Sequence, residues 1–204
     1  MPSALVLIAD GTEEMEFTIT YDTLVRAGVQ TTSAFVDAPG ASPTTADPIV
    51  ATGSRGIRIV ADSHLAFNKD TTTSPFGPDR YDLLVVPGGA IGAATMSGSP
   101  AVQALIKDYI AKGKYVGMIC AGSLAAKSAG LPRQPVTSHP SVKAQLADDY
   151  EYSEDPVVVS GHLITSRGPG TTFPFALTLV ELLCGKEKRE EVRAPMVFPA
   201  GTPF

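Results

Sequence analysis

Long apolar runs are missing from this chain of 204 residues, and none comes near the roughly 20 residues that a membrane-spanning helix needs. The opening Met-Pro-Ser-Ala-Leu-Val-Leu-Ile-Ala is too short, and has no basic leader, to read as a signal peptide. No membrane partner is expected, and the expected compartment is the cytoplasm, with the nucleus open beside it. Positive charge is also in short supply. There are 16 Lys and Arg against 21 Asp and Glu, a net charge of −5, with no basic cluster that could track phosphates, so no nucleic-acid partner is expected. The chain has 2 cysteines, Cys120 and Cys184, in unlike surroundings, which argues for free thiols in a reducing compartment rather than a disulfide scaffold. A Gly-rich phosphate fingerprint is absent, as is any Cys/His spacing suited to a metal, so the expected chemistry uses no cofactor and no metal. No internal repeat or low-complexity tract appears.

What is present is ordinary globular material, 44% hydrophobic and 18% charged, enough for one domain over 1–204 with one substantial core. Ala4–Ala9 reads as a strand buried on both faces and ends at Asp10-Gly11. Glu13–Ala27 reads as a helix stopped by Gly28, and Val29–Val36 as a second strand. Asp37–Ser54 and Asp70–Asp79, rich in Pro, Gly and Thr or Ser, read as irregular excursions on either side of a strand at Ile57–Val60. Further strands are expected at Leu83–Val86, Tyr115–Ile119, Val157–Val159 and Leu163–Thr165. Helices are expected at Pro100–Ala111, with Pro in its first turn, and at Leu124–Ala129, Ser141–Ala147 and Thr172–Cys184. Such alternation predicts an α/β fold, a doubly wound and mostly parallel sheet with helices on both faces.

In such a sheet ligands bind beyond the carboxyl ends of the strands. Four strand ends carry chemistry here: Glu13, Glu14 and Glu16 after the first strand, Gly88-Gly89 after Leu83–Val86, Cys120 after Tyr115–Ile119, and His139 after the short Val136-Thr137 segment. The segment Gly117-Met118-Ile119-Cys120-Ala121-Gly122-Ser123 places a thiol between a strand and a helix start, like the elbow that presents a nucleophile in α/β hydrolases. Most free cysteines simply pack, but this position argues for reactivity, with a thiol pKa expected below the free value of roughly 8.5. Cys184, after Leu182-Leu183 in an apolar helix, is expected to pack. Glu13 and Glu14 are accounted for by the preference of helix starts for acid, whereas Glu16, between Met15 and Phe17, is expected to face inward and to donate a hydrogen bond to sulfur. Of the three histidines, His139 is the candidate acid or base; His64 and His162 lack comparable context. The amides of Gly89 and Ala121 could form an oxyanion pocket, with Arg167-Gly168-Pro169-Gly170 as a further wall.

Taken together, Ala9-Asp10-Gly11-Thr12-Glu13-Glu14-Met15-Glu16, Val86-Pro87-Gly88-Gly89, Ile119-Cys120-Ala121-Gly122, Ser138-His139-Pro140 and Thr165-Ser166-Arg167-Gly168-Pro169-Gly170 resemble the ThiJ/PfpI family, most closely its parkinsonism-associated deglycase branch. Val192-Arg193-Ala194-Pro195-Met196-Val197 resembles the terminal helix of that branch. The resemblance implies a flavodoxin-like homodimer with Cys120 as nucleophile, Glu16 as its protonated partner and His139 as the nearby imidazole. Gly88, Gly89, Ala121 and Pro169 would contact substrate. Met15 and Arg26 would lie near the dimer interface, with Asp22 assisting, and Arg55 would reach the pocket from the partner subunit. The implied activity is glutathione-independent conversion of methylglyoxal, a small dicarbonyl, to lactate, of the D-lactate dehydratase type. Oxidation of Cys120 to a sulfinate in a stress sensor, or deglycation of proteins or nucleotides, are the alternatives. The chain departs from the family in its longer 37–54 and 70–79 stretches, in Ser123 where Pro is common, and in lacking the interface cysteine, Gly53 and Val60 occupying that neighbourhood. Leu124 excludes a glutamine amidotransferase, which carries glutamine there.

Overall fold

A computed structural model describes residues 1–65 and 75–204. The chain runs through β1 (Ser3–Ile8), α1 (Glu14–Arg26), β2 (Gln30–Phe35), β3 (Val50–Thr52), β4 (Arg58–Val60), β5 (Ser63–His64), β6 (Leu83–Val86), α2 (Ala90–Gly98), α3 (Pro100–Ala111), β7 (Tyr115–Ile119), α4 (Leu124–Ser128), β8 (Pro135–Val136), α5 (Lys143–Leu146), β9 (Glu151–Tyr152), β10 (Val157–Ser160), β11 (Leu163–Ser166), α6 (Thr172–Cys184) and α7 (Lys186–Arg193). The main sheet has the order β10-β11-β7-β6-β1-β2-β5. All its pairings are parallel except β10 with β11 at one edge, so the mostly parallel, doubly wound sheet expected from the sequence is borne out.

The period of two along each strand explains why the strands read as unbroken apolar runs. Leu5 and Leu7 of β1, with Leu84 and Val86 of β6, enter one core beneath Val102, Ile106 and Tyr109 of α3 and Ala125 of α4. Ala4, Val6 and Ile8, with Leu83 and Val85, enter the other, beneath Phe17 and Leu24 of α1 and Phe175 and Leu179 of α6. Each strand residue is therefore buried whichever way it points. Because β1 lies between β2 and β6, the chain leaves β1 toward one side and resumes on the other, and the carboxyl ends of β1 and β6 mark the switch point where a crevice opens.

Several local expectations need correction. Residues 37–54 are not wholly irregular: β3 lies within them and pairs antiparallel with β4, and the hairpin docks on the β1–α1 turn through Gly11 N–H to Thr52 O (2.7 Å) and Ser54 N–H to Thr12 O (2.8 Å). Ile57 falls outside β4 and is 58% exposed. Helix α2 was not foreseen, since Ala-Ile-Gly-Ala-Ala-Thr-Met-Ser-Gly has little periodic signal, yet its small residues let it pack closely, with Met96 fully buried. The short β5 and β9 and the helix α7 also escaped the sequence reading, and Val192–Val197 contains the end of α7 and a 3-10 turn rather than one helix. Of the 70–79 excursion, 70–74 lies outside the described residues and 75–79 forms turns. Cys184 is half-buried against the second core.

Candidate active site

Cys120 terminates β7 with φ +62, one of two non-glycine residues in the left-handed region among those described. Such a backbone is held by its surroundings rather than by preference. It turns the chain out of the sheet into a 3-10 turn, Cys120–Ser123, and then α4, so the sharp strand-to-helix elbow is present. Gly122 makes the elbow possible, since a side chain there would come within 2.5 Å of Val86 O. Ser123, on the same turn, is buried and its hydroxyl has no hydrogen-bond partner among the described residues.

Glu16 is fully buried on the first turns of α1. Its Oε2 accepts the Gly88 N–H at 2.8 Å, and its carboxyl hydrogen-bonds the Cys120 thiol. Oε1 has no nitrogen or oxygen partner among the described residues. Because Oε2 is already an acceptor, a proton on the carboxyl belongs on Oε1. Burial pushes Glu16 up to about 7, against the hydrogen bonds from Cys120 and Gly88, and the neighbouring Glu13 adds to the rise. The sequence expectation of a raised glutamate is met. Gly88 cannot be larger, because a Cβ would lie 2.6 Å from both Glu16 Oε2 and Cys120 Cβ.

The thiol itself corrects an expectation. Burial, the Glu16 charge and the hydrogen bond with Glu16 push Cys120 up to about 12, while the Ala121 and Gly89 amides pull it down. The anticipated low pKa relied on a helix field, but the elbow leads into four residues of 3-10 turn and a helix of 5 residues, whose aligned dipole is small. Desolvation wins, and thiolate and carboxylate exclude each other in so small a space. The pair titrates as a unit, holding one proton shared between sulfur and carboxyl above neutrality.

A cavity of about 410 Å³ opens over the thiol and is lined by Cys120, Gly89, Ala121, His139, Pro169 and Arg55, among others. Five predicted site residues therefore share one cavity with Cys120, and Glu16 and Gly88 stand directly behind the thiol. Arg55, which the resemblance brings to the pocket from a partner subunit, lines the cavity of its own chain, carried there by the β3–β4 hairpin. Both Glu13 and Glu14 are buried; Glu13 has the helix-start role expected of it, and Glu14 is the residue whose part sequence reasoning missed. Glu13 accepts the Glu16 N–H at 2.8 Å and caps α1. Glu14 accepts from Ser54 Oγ and from the Arg55 and Ile57 amides; burial would raise its pKa, but these bonds outweigh it and hold the carboxyl below its usual value. Residue type and spacing do not mark these amides as partners of Glu14, which only tertiary contact brings together. His64 likewise has a partner, Asp37 Oδ2 at 2.5 Å, at the β5 edge of the sheet and outside the cavity residues.

Residues 2–182 match the DJ-1/PfpI family. The chain belongs to the DJ-1/PfpI family. It is 35% identical to the fission yeast Schizosaccharomyces pombe protein "Glutathione-independent glyoxalase DJ-1", over 98% of this chain and 100% of that one. It is 41% identical to the "Parkinson disease protein 7 homolog" of zebrafish, Danio rerio, over 95% and 96% of the two chains. The solved structure of Schizosaccharomyces pombe DJ-1 superposes with a TM-score of 0.86, covering 97% of this chain and 100% of that chain. The flavodoxin-like arrangement expected from the sequence is that of the DJ-1/PfpI fold. Among the described residues no helix is long and apolar enough to cross a membrane.

Proposed function

We propose that this chain is a cysteine-dependent, glutathione-independent glyoxalase that converts methylglyoxal, or a similarly small α-oxoaldehyde, to the hydroxy acid. One observation carries the reading: a thiol and the residues of two amides directed at it, Gly89 and Ala121, line a single cavity, with a carboxyl that titrates near neutrality hydrogen-bonded to the thiol from behind. The full-length relative that bears the glyoxalase name supports it. In the proposed reaction the thiol proton passes to Glu16 as Sγ bonds to the aldehyde carbon, and the carbonyl oxygen, held by the Gly89 and Ala121 amides, takes a proton to give a hemithioacetal. The aldehyde C–H proton is then removed and returned to the neighbouring ketone carbon through an enediol, so one carbon is oxidised and the other reduced, leaving a lactoyl thioester. Water adds to that thioester, the C–S bond breaks, lactate leaves and Cys120 regains its proton. The balance is methylglyoxal plus water to lactate, with no outside oxidant and no cofactor. A glutamate near pKa 7 is well matched to such transfers at neutral pH.

A homodimer is part of the same proposal. Val25 of α1 and Val60 of β4 are 49% and 58% exposed and line a cleft with Phe17, Tyr21 and Ile59, and Met15 of α1 is 52% exposed. Large apolar side chains gathered on one face favour a covering partner, and a second copy of this chain fits the resemblance. For the chemistry, purified protein with methylglyoxal and no glutathione should form lactate. Absence of lactate with the wild type, or full turnover by Cys120→Ala, would sink the reading.

A further inference from the structure

His139 stands at the mouth of a 3-10 turn, Pro140–Val142, and caps that turn with its own ring. Its Nδ1 accepts the Ser141 backbone N–H at 3.2 Å and lies 2.8 Å from Ser141 Oγ. The hydroxyl can serve as donor or acceptor, but a backbone amide can only donate. A proton on Nδ1 would set two N–H hydrogens against each other, so the neutral ring carries its proton on Nε2. Nε2 itself makes no hydrogen bond among the described residues, and the ring lines the same cavity as Cys120 and Gly89. The histidine backbone is tied to the elbow as well, since its N–H donates to Cys120 O at 3.3 Å, and Tyr152 Oη donates to Ser138 O at 3.1 Å just before it.

We propose that His139 acts on the substrate as a hydrogen-bond donor through Nε2–H, polarising the carbonyl next to the one attacked by Cys120, and that Ser141 is the positioning residue that holds the ring in this tautomer. The inference rests on the glyoxalase reading for its substrate and deepens it. A neutral imidazole whose only lone pair is spent on the Ser141 amide has nothing with which to abstract a C–H proton. It does have an N–H for the oxygen on which negative charge grows as the enediolate forms. The carbon-to-carbon proton transfer then belongs to Glu16, the buried carboxyl behind the thiol. Sequence alone had pointed to His139 as the candidate acid or base.

Two substitutions in the full-length protein separate a donor from a base. Glutamine offers a side-chain N–H but no basic site; leucine offers neither. His139→Leu should lower kcat for lactate formation by roughly 10²–10³, the loss associated with one oxyanion donor. His139→Gln should stay within about tenfold of the wild type, retaining most of that stabilisation. Equal losses in the two variants would overturn the donor role. The tautomer is read independently of turnover from long-range proton–nitrogen correlation spectra of the labelled protein at mildly alkaline pH, with His139→Gln assigning the ring signals. A pyridine-type Nδ1 and a pyrrole-type Nε2 are expected; the reverse pattern would overturn the assignment. Ser141→Ala keeps the backbone amide and should keep this pattern, whereas Ser141→Pro, which has no amide hydrogen, should let the ring drift toward a mixture of tautomers. A mixed spectrum in Ser141→Ala, or an unchanged one in Ser141→Pro, overturns the part assigned to the amide. Failure of the wild type to make lactate would instead refute the glyoxalase reading, while the spectra would still decide which ring nitrogen carries the proton.

Discussion

Replacing Glu16 with glutamine should make the protein more resistant to unfolding at pH 8 than the wild type, while leaving the two similar near pH 4. Glu16 is fully buried and moves from the ordinary glutamate value of 4.5 to about 7 on folding, chiefly because burial penalises the charged form. Between those two values the native state holds a proton that the unfolded chain has released. Stability from this group is therefore complete below pH 4.5 and is lost as pH rises through 7. At about 1.4 kcal/mol per pH unit, the interval amounts to about 3 kcal/mol. Glutamine imitates the protonated carboxyl: its oxygen can accept the Gly88 N–H and its NH₂ can face the thiol, with nothing to ionise. Urea unfolding of both proteins at fixed protein concentration, from pH 4 to pH 8, should show the difference in unfolding free energy growing in favour of the variant across that window, with equal m-values. A difference that stays flat with pH would refute the reasoning that Glu16 sits protonated at the bottom of the site. The same variant should lose lactate formation, because the group that exchanges protons with Cys120 is gone.

Other consequences follow from the same geometry. Gly89→Ala should abolish turnover and destabilise the fold by more than about 1 kcal/mol, since φ is +86 and a Cβ would lie 2.1 Å from Gly11 O; unaltered kinetics and denaturation would contradict this. Glu14→Gln should weaken the tether on the Ser54–Ile57 loop and raise KM for methylglyoxal severalfold with a smaller change in kcat, measured by steady-state kinetics. Tyr109→Phe removes a buried hydroxyl that donates to Phe76 O at 2.7 Å and should cost about 1–2 kcal/mol in urea unfolding without affecting turnover. If the proposed homodimer forms through α1, the wild type should sediment as a dimer and Val25→Glu, which places charge on the exposed apolar face, as a monomer; a monomeric wild type would refute the dimer, and an unchanged dimer in the variant would refute this face as its seam.

Much of the architecture was legible because its signals are local. A run such as Leu83–Val86, or the bounded helix Thr172–Cys184, carries its pattern within a few residues, and both elements form with the expected bounds. Thr172–Cys184 is an apolar segment between a Gly-Pro-Gly turn and Gly185, and Pro100–Ala111 begins on the proline that announces it, with Ser99 found to cap it. Helix α2 was invisible for the converse reason: Ala, Gly, Thr and Ser give little amphipathic contrast, and it is close packing that makes it a helix. Of the site, the sequence determined which residue types stand at the carboxyl ends of the strands, and so the meeting of Cys120 with Glu16, His139 and the glycines. Tertiary structure decided their electrical state. Depth of burial turned an expected thiolate into a thiol that shares its proton with Glu16, and a backbone amide two residues away selected the tautomer of His139. It also brought Arg55 to its own chain's cavity and gave Glu14 the amides of a distant loop to hold. Ionisation and hydrogen-bond direction depend on what surrounds a group in three dimensions, which residue identity and spacing along a chain do not carry.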